Sequence, residues 1–445
     1  MAGAQKPDPV STKQQRIAQL AEQRPQEGFT SLNHYLDLAW LAEAFNRTRK
    51  DAAPGVDGQT AEQYGLQLLE NLQGLLGRAK SGTYRAPPVR RVYIPKGTGL
   101  ELRPLGIPTL EDKVLQRAVV MVLEPIYEQD FLDCSYGFRP GRSAHQALEA
   151  LWQQAMDLGG CWLVEVDIRK FFDTLDRAHL RQFLRQRVRD GVVLRLIDKW
   201  LKAGILEDGV LTSAEAGTPQ GGVISPLLAN LFLHYVLDVW FHQEVKPRLL
   251  GRAFVVRYAD DFVLGFACEE DARRVLDVLP KRFGKYGLTL HPDKTRLVRF
   301  TRPGGGPTGT PTRGGPPESF DFLGFTHFWS RSKKGTWVVK RKTARGRYRR
   351  ALQRIADWCR RHLHEPMKEQ YQALQRKLQG HYQYFGIVGN GRSLWCFRER
   401  VQEIWQQWLS RRRRGGSTWE RLKKWFGVFP LPNPPGWIVP HAAKP

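Results

Sequence analysis

Two β-rich runs, residues 254–258 and 262–266, are separated only by Ala259-Asp260-Asp261. Apolar and aromatic runs joined by so short a link predict an antiparallel hairpin with carboxylates at its tip. Upstream, residues 161–166 (Cys-Trp-Leu-Val-Glu-Val) read as a buried strand that ends at Asp167, and residues 179–188 as a helix. Downstream, residues 270–286 read as a helix and 295–300 as a strand. The order strand, helix, strand, strand, helix, strand is the split βαβ arrangement. Its two inner strands lie side by side, so Asp167 is expected to meet Asp260 and Asp261 within one α+β domain.

The remaining sequence is read around that domain. Residues 1–30, with Pro7, Pro9 and Pro25, are predicted to be a flexible N-terminal arm. Leu36, Trp40, Leu41 and Phe45 are spaced for an amphipathic helix, followed by a turn-rich break at Pro54-Gly55-Val56-Asp57-Gly58 and a helix over 61–79. Residues 89–95 alternate basic and apolar side chains, which predicts a strand with one face buried and the other offering cations. Residues 301–317 hold six glycines and five prolines and are predicted to be an exposed loop. Residues 331–360 carry twelve Lys/Arg against the single acid Asp357, and the chain beyond Gly335 is predicted to be helical. From 413 to 445 a basic and then Pro-rich tail is expected, suited to nucleic acid.

Charge narrows the function. Over 445 residues, 69 Lys+Arg stand against 44 Asp+Glu, a formal net charge of +25. That balance belongs to a protein that works against a polyanion, with nucleic acid the leading partner. No run of 18 or more apolar residues occurs and the first twenty residues are polar, so no membrane partner is expected and the protein is predicted to be soluble and cytoplasmic. Five scattered cysteines without a CxxC pair exclude a zinc ribbon. Against this positive background, three carboxylates brought to one place repel one another unless a cation sits among them, and hard oxygen ligands select Mg²⁺. Two such ions would clamp the attacking and leaving oxygens of an in-line phosphoryl displacement. Any one of these aspartates alone could equally cap a turn.

Tyr258-Ala259-Asp260-Asp261 in its apolar hairpin resembles the signature of reverse transcriptases, and Asp167-Ile168-Arg169-Lys170-Phe171-Phe172-Asp173 resembles their first catalytic block. Gly217-Thr218-Pro219-Gln220-Gly221-Gly222 is similar to the block under the incoming nucleotide. Arg103-Pro104-Leu105-Gly106-Ile107-Pro108, Tyr136-Gly137-Phe138-Arg139-Pro140-Gly141-Arg142-Ser143, the stretch 287–295 and Phe322-Leu323-Gly324-Phe325 follow the family's remaining blocks in order. Beyond them, Leu378-Gln379-Gly380-His381-Tyr382-Gln383-Tyr384-Phe385-Gly386 with Arg392-Ser393-Leu394 resembles the maturase domain of group II intron proteins. The ending in prolines is similar to the endonuclease-lacking type.

The resemblance implies a right-hand polymerase. Residues 31–160 would form the fingers and N-terminal extension, 161–335 a split βαβ palm with the carboxylates, and 336–412 a helical thumb/maturase domain. It implies an RNA-directed DNA polymerase, a nucleotidyltransferase that adds dNTPs to a primer 3′-hydroxyl on an RNA template and assists splicing and mobility of a group II intron RNA at a DNA target. The alternatives are a domesticated relative in phage defence, CRISPR spacer acquisition or DNA repair, and a splicing-only maturase. Asp167, Asp260 and Asp261 would be catalytic and hold two Mg²⁺ ions, with the Ile168 carbonyl as a backbone ligand. Lys96 and Arg103 would sit on the triphosphate and Gln220 on the nucleotide or template base. Phe172 would lie against the sugar edge, unless Phe171 faces the site instead. Lys294 would reach the phosphates or stay a surface lysine. Phe322, Leu323 and Gly324 would press on the primer or belong to the core, and Arg347, Arg350 and Arg354 would bind RNA.

Overall fold

The computed structural model describes residues 9–95, 102–207, 210–212, 221–303, 318–412, 424 and 426–436. Within them the chain is mixed α+β. Its strands are β1 (Val89–Pro95), β2 (Leu102–Ile107), β3 (Gly160–Val166), β4 (Ile205–Glu207), β5 (Val210–Thr212), β6 (Ala253–Tyr258), β7 (Asp261–Phe266), β8 (Arg296–Thr301), β9 (Phe320–Phe322), β10 (Phe325–Arg331) and β11 (Trp337–Thr343). They form three sheets, ordered β2-β1-β4-β5, β11-β10-β9 and β6-β7-β3-β8.

The third sheet has the strand order of the predicted split βαβ. β7 is antiparallel to β6, from Ala253 opposite Phe266 to Tyr258 opposite Asp261, and antiparallel to β3, from Trp162 opposite Phe266 to Val166 opposite Phe262. The Val166–Phe262 pair brings the end of β3 beside the hairpin tip, so residues far apart in sequence become neighbours. The strands are buried on both faces, which is why their sequences are nearly continuous hydrophobic runs. Between β3 and β6, helices Arg177–Arg187 and Gly191–Leu201 start at Asp176 and Asp190, each of whose side chains accepts two backbone N–H groups of the first turn. The apolar helix Ser225–Leu233 then widens into π-helical turns over His234–Val239.

Five local expectations are corrected. Beyond Gly335 the chain is not yet helical: Trp337–Thr343 is strand β11, paired along its whole length with β10, and the helix begins only at Arg345. From residue 9 the expected arm is a packed helix, Pro9–Gln23, with Val10, Ile17 and Ala21 buried. The segment after it is strapped down by the buried Arg187, whose guanidinium donates to the carbonyls of Ala21, Arg24 and Glu27 and pairs with Asp130 at 2.9 Å. The single helix expected over 61–79 is two, Ala61–Gly65 and Leu68–Ser81; the first is closed by a Thr60–Gln63 capping box, and the Asn71 amide takes the freed Tyr64 carbonyl. β1 does not bury one face: beyond Arg90, where its pairing with β4 ends, it forms with β2 a two-stranded ribbon that leaves both Tyr93 and Ile94 exposed. The Pro-rich tail is partly docked: Leu431 is buried, and Tyr382 and Arg398 donate to the Pro432 and Leu431 carbonyls. Proline-flanked carbonyls have no ladder partner, so side chains take them. The predicted loop beyond residue 303 and the tail at 413–423 and 437–445 lie outside the described residues.

The chain divides into two units, residues 1–151 with 162–297, and residues 152–161 with 298–445. In the first, helix Leu110–Asp130 runs through the core; Trp40 donates its indole N–H to the Ala118 carbonyl at 2.9 Å. In the second, helices Arg345–Arg361, Met367–Phe385 and Gly391–Ser410 pack around Leu374, Leu378, Phe397 and Trp405.

Candidate active site

The turn that carries Asp260 is held from below. β6 and β7 are joined by Ala259-Asp260, with Ala259 at φ 57°, a conformation that costs a residue with a Cβ. Its carbonyl accepts from Arg257 Nη1 at 3.1 Å. The same guanidinium is fully buried, ion-paired with the equally buried Asp238 of the π-helical turns, and donates to Asn230 Oδ1 at 2.9 Å. Asn230 in turn donates to the Gly137 carbonyl at 2.6 Å. Gly137 lies so close to the turn that a Cβ there would collide with the Ala259 backbone nitrogen. This explains one glycine of the Tyr136–Ser143 block. Sequence reasoning missed the Arg257–Asp238–Asn230 network, although a lone carboxylate in an apolar helical run signals a buried cation to match it.

Asp167 follows β3 and accepts a contact from Lys294 Nζ at 2.7 Å. Its backbone carbonyl accepts from His291 N–H at 2.7 Å, and Arg169 N–H donates to the Thr289 carbonyl at 2.8 Å, around an antiparallel bridge between Ile168 and Leu290. In such a bridge the central residue's own carbonyl points away from its partner. Ile168 therefore turns its oxygen toward the β7 side. Asp260 is exposed at the tip, yet desolvation by the atoms packed around its carboxyl raises its pKa above the ordinary value; Arg103 opposes the shift, and Asp167 adds to it more weakly. Desolvation is the leading cause, and the repulsion from Asp167 is a smaller contribution than the attraction of Arg103. Among the described residues no group of three or more His, Cys, Asp or Glu already forms a metal cage. The strand register brings the carboxylates of Asp167 and the hairpin tip to one end of the sheet, where the Lys294 ammonium reaches Asp167, and oxygen donors of that kind suit a hard divalent ion.

The other residues fall as follows. Arg103, on β2, is exposed and close enough for its charge to bear on Asp260. Phe171 is buried in the core, whereas Phe172 is half-buried at its edge, the two rings meeting edge-on at 5.3 Å. Lys96 and Gln220 lie outside the described residues. The glycine after Gln220, Gly221, has φ 121° and sits where a Cβ would collide with the Gly106 carbonyl, so Gly221 itself packs directly on β2. Nearby, the buried Gln116 accepts from Ile224 N–H at 3.2 Å and donates to Asp112.

In the second unit, Leu323 and Gly324 form the two-residue turn between β9 and β10, both at positive φ (48° and 82°), as a type I′ hairpin requires. Phe322 is buried. The Leu323 carbonyl accepts from Tyr384 Oη at 2.8 Å and the Gly324 carbonyl from Ala344 N–H at 2.9 Å. Arg347 and Arg354 are exposed and Arg350 half-buried on helix Arg345–Arg361. Partial burial and the charges of Arg347 and Arg354 together lower the Arg350 pKa. Crowded cations of this kind are relieved by phosphate.

An inner-strand aspartate beside an acidic hairpin tip, with cations at its rim on a strongly basic chain, defines a nucleic-acid polymerase. Residues 94–327 match the family of reverse transcriptases, RNA-dependent DNA polymerases, and the chain belongs to that family. It is 39% identical over 298 residues to Protein YkfC of Escherichia coli (strain K12), covering 58% of this chain and 76% of that protein. It is 40% identical over 246 residues to the group II intron-encoded protein LtrA of Lactococcus lactis subsp. cremoris, covering 53% of this chain and 40% of that protein. To the mitochondrial nuclear intron maturase 2 of Arabidopsis thaliana it is 29% identical over 235 residues, 44% of this chain and 30% of that protein. Two of these relatives are intron proteins, one encoded by a group II intron and one an intron maturase. No described helix is long and apolar enough to cross a membrane.

Proposed function

We propose that this protein is a cytoplasmic RNA-directed DNA polymerase that extends a primer on an RNA template with dNTPs and assists splicing and mobility of a group II intron RNA at its DNA target. The observation that carries the reading is the convergence of Asp167 with the Asp260-Asp261 tip across two inner strands. We read residues 31–160 as fingers, 161–335 as palm and 336–412 as thumb and maturase domain. Two Mg²⁺ ions, held by Asp167 and Asp260 with Asp261 and the Ile168 carbonyl, would supply activation of the primer 3′-hydroxyl and neutralisation of the departing pyrophosphate. The chain's own residues do the rest. Arg103, with Lys96, places positive charge on the triphosphate. Lys294, already at Asp167, offers an ammonium to the phosphates. Gln220 contacts the nucleotide or template base, and the Leu323-Gly324 turn bears on the primer.

Phe172 stands against the sugar edge, since Phe171 is spent in the core. Phe172→Ala is therefore expected to raise ribonucleotide incorporation relative to deoxyribonucleotide in competition assays. Unchanged discrimination with retained activity would return Phe172 to a packing role.

RNA binding is assigned to the Arg347, Arg350 and Arg354 cluster. Replacing all three with glutamine should weaken affinity for a group II intron RNA and lower its log–log salt slope by about 2–3, at roughly 0.7–0.9 per phosphate contact. Splicing stimulation at low Mg²⁺ should fall with it. Equal slopes for wild type and variant would remove this helix from the RNA interface, and failure to stimulate splicing of any cognate intron would favour the domesticated alternative. The polymerase reading itself is tested by Mg²⁺-dependent cDNA synthesis from a primed RNA.

A further inference from the structure

Four non-glycine residues have positive φ among the described residues: Phe138 (55°), Lys170 (45°), Ala259 (57°) and Leu323 (48°). Two lie in turns already tied to the site, after Asp167 and before Asp260, and Leu323 makes the β9–β10 hairpin turn of the second unit. Phe138 has no role so far. A bulky side chain in the left-handed region persists only where its surroundings over-determine it, and such strain gathers at functional sites.

The surroundings of Phe138 do this from both sides. The Gly137 carbonyl is bonded to Asn230, and the Gly137 backbone lies against the Ala259 nitrogen. On the other side Arg139 is buried, bonded to the Glu128 carboxylate at 2.9 Å and to the Leu132 and Ser135 carbonyls at 2.8 and 2.9 Å. Between these anchors the Phe138 ring is left 63% exposed. Its centroid is 6.3 Å from that of Tyr258, with the planes at 42°, so two rings stand side by side next to Asp260. The core does not claim this ring. The backbone holds it out in water at the turn where the polyanionic substrate must lie.

We propose that Phe138 is a nucleic-acid-binding residue whose ring stacks on a nucleobase of the primer–template at the catalytic turn. The inference rests on the polymerase reading and deepens it. A base offers a flat π face whatever its identity, so one rigid aromatic anchored to the hairpin would set the distance of the reacting end from Asp260 without selecting sequence. Lys and Arg contacts to phosphates cannot do this, because they hold the backbone and leave the base free to swing.

The test is equilibrium binding of two primer–templates to the full chain, one with 2-aminopurine at the primer 3′ terminus and one with it at the facing template position. Wild type, Phe138→Ala, Phe138→Gly and Phe138→Tyr are titrated over a salt series, with primer extension and melting temperature measured in parallel. The Ala and Gly variants should bind roughly ten-fold more weakly. Their salt slope should match wild type, because no phosphate contact is lost. Tyr should bind as wild type does, and the duplex whose fluorescence changes with the ring identifies the strand that stacks. Melting temperatures should hold or, for Gly, rise. Equal affinity of all four proteins while wild type extends primers would overturn the inference and leave the polymerase standing. So would an altered salt slope, fluorescence unchanged in both duplexes, or a melting temperature lowered in both Ala and Gly. Absence of extension by wild type would overturn the polymerase reading instead.

Discussion

Asp260→Ala should abolish Mg²⁺-dependent primer extension, a loss of roughly a thousand-fold or more, while the protein folds and binds intron RNA as before. A metal clamp supplies several kcal/mol to phosphoryl transfer, and removing a ligand forfeits most of it. Folding should not suffer, for a reason visible in the site. Desolvation and the Asp167 charge raise the Asp260 pKa in the folded chain, so the ionised carboxylate costs stability. The sign follows: that cost is present at neutral pH and disappears as pH falls through the raised folded value, where the group is protonated. Alanine removes the cost at every pH, so the melting temperature should be unchanged or higher. Splicing stimulation should survive, since folding a ribozyme requires bound cations and shape but no nucleotide chemistry. Full extension by purified Asp260→Ala protein would remove Asp260 from the catalytic set.

Asp238→Ala should have the largest effect on stability of the changes considered. It leaves Arg257 charged and fully buried with its main partner gone, a class of change that costs roughly 3–5 kcal/mol. The remaining bonds of Arg257, to Asn230 and the Ala259 carbonyl, cannot neutralise it. Because the same guanidinium holds the turn before Asp260, extension should fall even at temperatures where the variant stays folded. Denaturant midpoints at constant m-value, alongside single-turnover extension in the cold, separate the two effects. A variant with a wild-type midpoint would mean that water or another group compensates Arg257. Asp238→Asn, which keeps an acceptor but not the charge, should fall between.

The sheet and its acidic tip were legible because both are local. Apolar runs around a short acidic link force a hairpin, and an isolated strand that stops at Asp167 needs the same core. Strand order then followed from the alternation of elements, and β7 does lie between β6 and β3. What stayed hidden depends on side-chain direction and on partners far along the chain. Neighbouring Phe171 and Phe172 are equal in sequence; only the helical start at Phe171 turned one ring into the core and left the other at its rim. Residues 9–30 looked loose because their anchor, Arg187, lies more than 150 residues away. The docked tail depends in the same way on Tyr382 and Arg398. Asp238 looked like one polar residue on an apolar helix until π-helical turns set it under Arg257. Periodicity and turn chemistry act through the covalent chain over a few residues, so the sequence by itself determined the elements and the carboxylate pattern. Burial of a charge or a ring is decided by whichever distant group arrives to meet it, so the support beneath the turn and the exposure of Phe138 were settled only by the tertiary structure.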